Sequence, residues 1–310
     1  MVFFTTTNEQ CFYTASFIDD YKNRQKIFFI NKKSTHFFDS LHQFSNFQLL
    51  QQSIKYQNAT IYFQVIGEGR PVFLLHGFGE DGSIWKNQID ALQNDCQLIV
   101  PDLPGSGQSG FVKNADIETY AVIIKMIVDS FIDTTSRKIS IVGHSMGGYI
   151  ALAFAKKYPD SLQSLGLFHS TAFADGEEKK LMRKKAIDFI QEKGAYTFLK
   201  TSIPGMFNDA NAIFIDELIE KGKAFSEPEL IQYYKAMMDR HDSTDVLRNF
   251  SKPVLFVIGE YDMAVPLQSC LQQCYFPAIS HICILKKSAH MGMLEEKEKA
   301  NAALRSFLFT

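Results

Sequence analysis

The chain has 310 residues, of which 46% are hydrophobic, and its 32 Lys and Arg side chains nearly balance 34 Asp and Glu. This composition excludes wholesale disorder, and the lack of net positive charge argues against nucleic acid as the main partner. No apolar run approaches the roughly 18 residues of a membrane span, and residues 1–10 lack the basic and apolar regions of a signal peptide. Because five scattered cysteines favour reduced thiols, we expect a cytoplasmic protein that binds neither membrane nor nucleic acid.

Residues 1–50 differ in character from the rest of the chain. They contain 10 of the 28 phenylalanines and no glycine or proline. They sustain neither the helical nor the strand period. We therefore expect an N-terminal extension outside the fold, either a true appendage or the product of a start codon assigned too far upstream.

From residue 53 onward, short apolar segments rich in β-branched residues alternate with segments of helical period. Two strands are expected to meet at a turn near Asn58. The predicted strands are 53–57, 60–66, 72–75, 97–100, 138–142, 162–168, 254–258 and 281–285, and the predicted helices are 84–93, 116–131, 147–157 and 296–308. This alternation predicts an α/β fold whose mostly parallel sheet is covered by helices on both faces, formed by residues 51–170 and 251–310. Such sheets bind ligands beyond the carboxyl ends of their strands.

Residues 171–250 interrupt the alternation, because they carry helical pattern and many charges without a strand signal. They are interpreted as a helical cap that lies over the sheet. Acidic residues flank the basic group on its first predicted helix, so the group is interpreted as a solvated helix face. That group comprises Lys179, Lys180, Arg183, Lys184 and Lys185.

The strongest chemical signal is the Gly-x-Ser-x-Gly motif around Ser145. It directly follows a predicted strand and directly precedes a predicted helix, which is the context of a nucleophile elbow. The serine of such an elbow stands on a strained turn, and Gly143 and Gly147 provide the required space on either side. Ser145 is therefore the predicted nucleophile.

A serine nucleophile needs a histidine base that is held by an acid. Residues His76, His144, His169 and His290 all follow predicted strands, but after an elbow serine the chain order is acid, then base. His290 is therefore the predicted base and Asp262 the predicted acid, with Glu260 as the alternative acid.

Stabilisation of an oxyanion requires backbone N–H donors close to the nucleophile. One donor is expected from Met146, the residue after Ser145, and the second from Phe78 in the loop after the strand 72–75. Glycines at 77 and 79 allow this loop to turn toward a substrate.

Two other patterns carry no cofactor or metal. Residues 105–110 match a dinucleotide fingerprint, but no helix is predicted to open within the glycines. Cys270, Cys274 and His281 provide too few ligands for a structural zinc site. We expect neither a cofactor nor a metal ion.

Taken together, the motifs resemble those of the α/β-hydrolase family. The resemblance covers residues 53–310 and rests on five segments: 76–78, 101–109, the Ser145 elbow, 259–262 and 288–290. It implies the α/β-hydrolase fold with a cap insertion. The run 239–243 is also similar to small-ester and lactone hydrolases of the family.

The resulting hypothesis is a serine hydrolase that cleaves a small to medium ester, thioester or lactone through an acyl-enzyme. Phe78, Trp85 and Met146 are expected to line an apolar substrate pocket. The alternatives are a carbon–carbon bond hydrolase or lyase that uses the same triad, and a ligand-binding receptor of the same fold. The expected partner is a small acyl substrate, and the protein is expected to be a monomer or a homodimer.

Overall fold

The computed structural model describes residues 13–16, 50–132, 137–210 and 212–309. Its described strands form one sheet in the order β1-β9-β8-β7-β6-β4-β5-β3-β2. They are β1 (Tyr13–Ser16), β2 (Leu50–Tyr56), β3 (Ala59–Ile66), β4 (Pro71–Leu75), β5 (Gln97–Pro101), β6 (Ile139–His144), β7 (Leu162–Phe168), β8 (Val254–Gly259) and β9 (Ile279–Leu285). Strands β4 to β9 run parallel to one another, whereas β1, β2 and β3 pair antiparallel with their neighbours.

Helices are present at all four positions where the pattern predicts one, and two short helices outside residues 171–250, Leu267–Gln273 and Gly292–Glu295, are not predicted by the pattern. The helices of the described residues are α1 (Lys86–Leu92), α2 (Ile117–Phe131), α3 (Met146–Lys157), α4 (Glu177–Lys193), α5 (Ala195–Ser202), α6 (Phe214–Lys221), α7 (Glu227–Asp239), α8 (Thr244–Asn249), α9 (Leu267–Gln273), α10 (Gly292–Glu295) and α11 (Lys297–Leu308). A 3-10 turn at Gly82–Trp85 precedes α1, so the first predicted helix begins as a tighter turn. Within the described part of the chain, no helix combines the length and apolar character needed to cross a bilayer.

The sheet is covered on both faces. Every residue of β4, β6 and β8 is buried, and successive residues of a strand point to opposite faces. Helix α1 packs against α11, and α2 packs against α3, which also contacts β6. The predicted α/β architecture with a mostly parallel sheet is therefore confirmed.

Residues 171–250 contain helices α4 to α8, and their described part contains no strand. Helix α7 begins with a capping box between Ser226 and Glu229. The domain boundaries themselves stay predictions. Tyr13–Ser16 pairs with β9 and Leu50 pairs with Val65, so these described residues of the predicted N-terminal extension lie within the sheet and not outside the fold. The rest of the extension lies outside the described residues.

The register of the parallel strands places the loops that follow them at one edge of the sheet. Leu75 pairs with Gly143, Gly143 with Leu167, and Gly259 with Leu285. The segments after β4, β6, β7, β8 and β9 therefore emerge side by side. All the residues predicted to take part in chemistry lie in these segments.

Candidate active site

Ser145 occupies a strained turn between β6 and α3. Its backbone has φ 49° and ψ −113°, a region that residues with a side chain rarely adopt. The amide of Ser145 donates to the Phe168 carbonyl oxygen at 2.9 Å, and the Ser170 hydroxyl donates to the Ser145 carbonyl oxygen at 2.7 Å. A Cβ atom on Gly143 would lie 2.2 Å from the backbone of Gly147, so the turn closes only without side chains there.

His290 and Asp262 form a hydrogen-bonded pair at the same edge. The Nδ1 atom of His290 lies 2.8 Å from Oδ2 of Asp262. The other carboxylate oxygen, Oδ1, accepts hydrogen bonds from the amides of Ala264 and Val265, both at 2.9 Å. Burial acts to raise the pKa of Asp262, but His290 and the hydrogen bonds hold it well below its usual range. Glu260, the alternative acid, is exposed.

A second imidazole, that of His169, also contacts the carboxylate of Asp262. Its Nδ1 atom lies 3.1 Å from the same Oδ2 oxygen that His290 contacts. His169 is fully buried with φ 48°, and burial lowers its pKa to about 4. The ring is therefore neutral near pH 7. The Gly259 amide nitrogen also lies 3.2 Å from Nδ1, so this ring nitrogen faces both a carboxylate oxygen and a backbone N–H.

His144 joins three loops of the site. Its Nδ1 lies 3.0 Å from Oε2 of Glu80, and its Nε2 lies 3.0 Å from the carbonyl oxygen of His290. The same Oε2 atom accepts a hydrogen bond from the Gly77 amide at 2.7 Å. Burial opposes both charges, but their attraction raises the pKa of His144 and lowers that of Glu80. The two side chains therefore form a buried ion pair.

Phe78 lies in the loop between β4 and the Gly82–Trp85 turn. This loop packs against the elbow, since a Cβ on Gly77 would lie 3.3 Å from Cβ of Ser145. The neighbouring Gly79 has φ 67°. Met146 is the first residue of α3, and the first amides of a helix have no acceptor within it. The geometry is thus compatible with the two expected oxyanion donors, whose role stays a prediction.

Ser145 and His290 both line a cavity of about 140 Å³ between the sheet edge and helices α4 to α7. Its other walls are mainly apolar. They include Phe78, Leu199, Ile203, Met206, Phe207, Leu218, Met237, Val265 and Met291. A larger groove of about 330 Å³ beside α2 and α3 contains neither Ser145 nor His290, so we place the candidate site in the smaller cavity.

Two of the residues expected to line the substrate pocket do not line this cavity. The indole of Trp85 is fully buried, with its ring edge-on to Phe168 at 5.4 Å between centroids, and it does not line the cavity. The Met146 side chain is also fully buried in the core. Both apolar side chains pack in the core instead. Phe78 does line the cavity, where it stacks on Tyr234 at 4.3 Å between centroids.

The interpretation of the basic group on α4 as a solvated face is also wrong in part. Lys179 and Arg183 line the cavity, whereas Lys180 and Lys184 line a surface groove. The spacing of four residues between Lys179 and Arg183 was the available signal, because it places them on one helix face. Nothing in the sequence shows that this face turns toward the sheet.

Comparison with known proteins identifies a matching family and related sequences. Residues 70–200 match a family model described as the alpha/beta hydrolase fold. A pimeloyl-[acyl-carrier protein] methyl ester esterase from Vibrio cholerae is 23% identical over 246 residues, which cover 77% of this chain and 94% of that protein.

Solved structures of similar fold include an esterase and a lactonase. A thermophilic esterase from Thermogutta terrifontis, determined with malate bound, superposes with a TM-score of 0.74 at 29% identity and covers 84% of this chain and 98% of that one. An enol-lactonase from Burkholderia xenovorans shares the fold, with a TM-score of 0.76 at 17% identity over 84% of this chain and 100% of that one.

Proposed function

Since the chain belongs to the α/β-hydrolase family and is a hydrolase, we propose that it cleaves small carboxylic esters with Ser145 as nucleophile, His290 as base and Asp262 as acid. The observation that carries this proposal is that Ser145 and His290 line one cavity, while Nδ1 of His290 lies 2.8 Å from Asp262. With Nδ1 bound to the carboxylate, Nε2 is the ring atom free to accept a proton.

In the first step, the Ser145 hydroxyl attacks the ester carbonyl carbon while His290 takes its proton. The developing imidazolium is stabilised by Asp262, whose lowered pKa keeps it ionised across the neutral range. The tetrahedral intermediate then expels the alcohol, which receives the proton from His290. A water molecule activated by His290 releases the acid from the acyl-enzyme in a second, equivalent step.

The negative charge on the intermediate requires preformed donors. The amides of Phe78 and Met146 are proposed to supply them, because both belong to segments that flank Ser145. Gly77 cannot serve in the same way, since its amide already donates to Glu80.

The size of the cavity favours a small substrate. Its volume of about 140 Å³ lies below the roughly 300–1,000 Å³ of pockets that hold drug-sized ligands. A short ester fits this space, whereas a long acyl chain would need the cap helices to move. Monomer or homodimer assembly and a cytoplasmic location stay predictions.

The test is labelling with a fluorophosphonate probe, followed by peptide mapping. We expect an adduct on Ser145 that is absent from the Ser145→Ala and His290→Ala proteins. Ser145→Ala should also lower kcat for 4-nitrophenyl acetate by three or more orders of magnitude, roughly as triad knock-outs do elsewhere.

The matched control is Ser202, the other serine that lines the cavity. The Ser202→Ala protein should be labelled at Ser145 to the same extent as the wild type. An adduct on Ser202, or undiminished turnover by folded Ser145→Ala, would reject the proposed nucleophile. Tight ligand binding without any labelling or turnover would favour the receptor alternative.

A further inference from the structure

The cap side of the cavity holds an excess of positive charge around one carboxylate, that of Asp175. Arg183 donates to Oδ2 of Asp175 at 2.6 Å, and Arg240 approaches Oδ1 at 3.0 Å. The Nζ atom of Lys179 is also within 3.9 Å of Oδ1. Two guanidinium groups already exceed the charge of this single carboxylate, so the charge of Lys179 is left without an equal counter-charge.

The other carboxylates beside the cavity do not supply that counter-charge. Glu80 is paired with His144, and Asp262 contacts both His290 and His169. Each of these acids therefore has a cationic or hydrogen-bonding partner of its own. A charge count over the described residues of the site leaves the Asp175 cluster clearly positive.

Lys179 and Arg183 present this charge to the cavity that contains Ser145. The Nζ atom of Lys179 donates to the carbonyl oxygen of Ala264 at 2.9 Å. An ammonium group has three donors, so this bond and the Asp175 contact do not exhaust it. Ala264 lies two residues after Asp262, which places the lysine beside the triad.

The hydroxyl of Tyr149, one turn after Ser145 on α3, experiences this positive field. Its ring lies 3.8 Å from the Arg240 guanidinium carbon, and it lines the same cavity. Burial would raise the pKa of Tyr149, but Arg240, Lys179 and Arg183 lower it instead. A buried phenol responds in this way only where negative charge is favoured.

Building on the proposed ester hydrolysis, we propose that Lys179 and Arg183 form an anion subsite that selects small esters carrying a carboxylate. The ester carbonyl lies at Ser145, and the carboxylate of the substrate reaches the two cations on α4. Because the cavity has a volume of only about 140 Å³, a substrate whose ester and carboxylate are separated by a few bonds fits it best. Monoesters of short dicarboxylic acids have this chemistry.

The experiment compares two substrates that differ only in charge, monomethyl succinate and its neutral amide analogue methyl succinamate, with methanol release as the readout. We expect the wild type to show a kcat/KM at least about tenfold higher for the anion, the usual scale of one charge-assisted hydrogen bond. In Lys179→Met, the ratio of the two kcat/KM values should fall at least fivefold. This comparison within one protein is insensitive to the fraction of folded enzyme.

Lys180→Met is the matched control, since Lys180 lies on the same helix but faces a surface groove and pairs with Glu177. It should retain the wild-type ratio. A wild type that turns over 4-nitrophenyl acetate but does not prefer monomethyl succinate would reject the subsite and leave ester hydrolysis intact. A protein that hydrolyses none of the three esters would reject both proposals.

Discussion

Ser145 adopts a backbone conformation that is costly for any residue with a side chain. Its φ of 49° persists because the surrounding strands and the two elbow glycines leave no alternative. Strain of this kind costs roughly 1–3 kcal/mol, which the rest of the fold must supply. The proposed nucleophile therefore occupies a weak point in the stability of the protein.

Replacing Ser145 with glycine should relieve this strain. We expect Ser145→Gly to have a free energy of unfolding about 1 kcal/mol higher than Ser145→Ala, which keeps the strained Cβ but also lacks the hydroxyl. Urea denaturation of the two inactive proteins measures the difference. Equal stabilities would show that the turn is unstrained.

His169 contacts the proposed acid Asp262 and does not line the cavity, so we expect it to act on the chemistry through Asp262. Its Nδ1 shares the Oδ2 oxygen with His290, and its hydrogen bond helps to hold the pKa of Asp262 low. His169 is thus a positioning residue. The imidazole fits tightly, because a Cβ on Gly292 would lie 2.4 Å from its Nε2 atom.

In His169→Phe, which keeps a ring of similar size, the pKa of Asp262 should rise toward its usual value. The stability that the wild type gains from the lowered pKa of Asp262 is complete above pH 3.8 and is lost as the pH falls further, so on acidification from about pH 4 to about pH 2 the free energy of unfolding should fall less in His169→Phe than in the wild type. His169→Asn, which can still donate, should lie between the two. An identical pH dependence of the unfolding free energy in all three proteins would assign His169 a packing role only.

At the scale of elements, the Glu80–His144 pair connects the loop after β4, the nucleophile elbow and the loop that carries His290. Glu80 holds the Gly77 amide, and His144 contacts the His290 carbonyl oxygen. The buried pair therefore helps to set the spacing between the segments that carry the proposed oxyanion donor, nucleophile and base.

Glu80→Gln should lower stability by about 3 kcal/mol, the usual scale for breaking a buried pair, and kcat by roughly 10- to 100-fold as Phe78 shifts. The stability difference depends on pH. Because the pKa of Glu80 is lowered in the folded protein, its carboxylate contributes stability that is complete above pH 4.5 and is lost as the pH falls further. Because the pKa of His144 is raised in the folded protein, its imidazolium contributes stability that is complete below pH 6.5 and is lost as the pH rises through the raised pKa.

The difference in unfolding free energy between wild type and Glu80→Gln should therefore be largest between about pH 4.5 and 6.5 and shrink on either side. Denaturation at a series of pH values measures it. Glu68→Gln, at an exposed position, is the control and should show no such maximum. A difference that is constant with pH would mean that Glu80 and His144 are not paired as ions.

For the whole molecule, the sequence predicts those features that depend on local pattern. The strands and the elbow follow from periodicity and from glycine spacing, both of which are local. The triad assignment uses chain order together with the rule that parallel strands end at one edge. The contacts of Trp85 and Lys179 could not be predicted, because they depend on how a turn or a cap helix is rotated over the sheet. That rotation is decided by packing between segments that are distant in the chain.

The order of the strands in the sheet also determines when the proposed triad can assemble in a newly made chain. Ser145, Asp262 and His290 are synthesised far apart, and the proposed base comes last. Until β8 and β9 join the sheet beside β7, Ser145 has neither the proposed acid nor the proposed base within reach. Such long-range pairing is intrinsically slow to form. We therefore expect a nascent chain to hydrolyse no ester until the sheet has closed around the site.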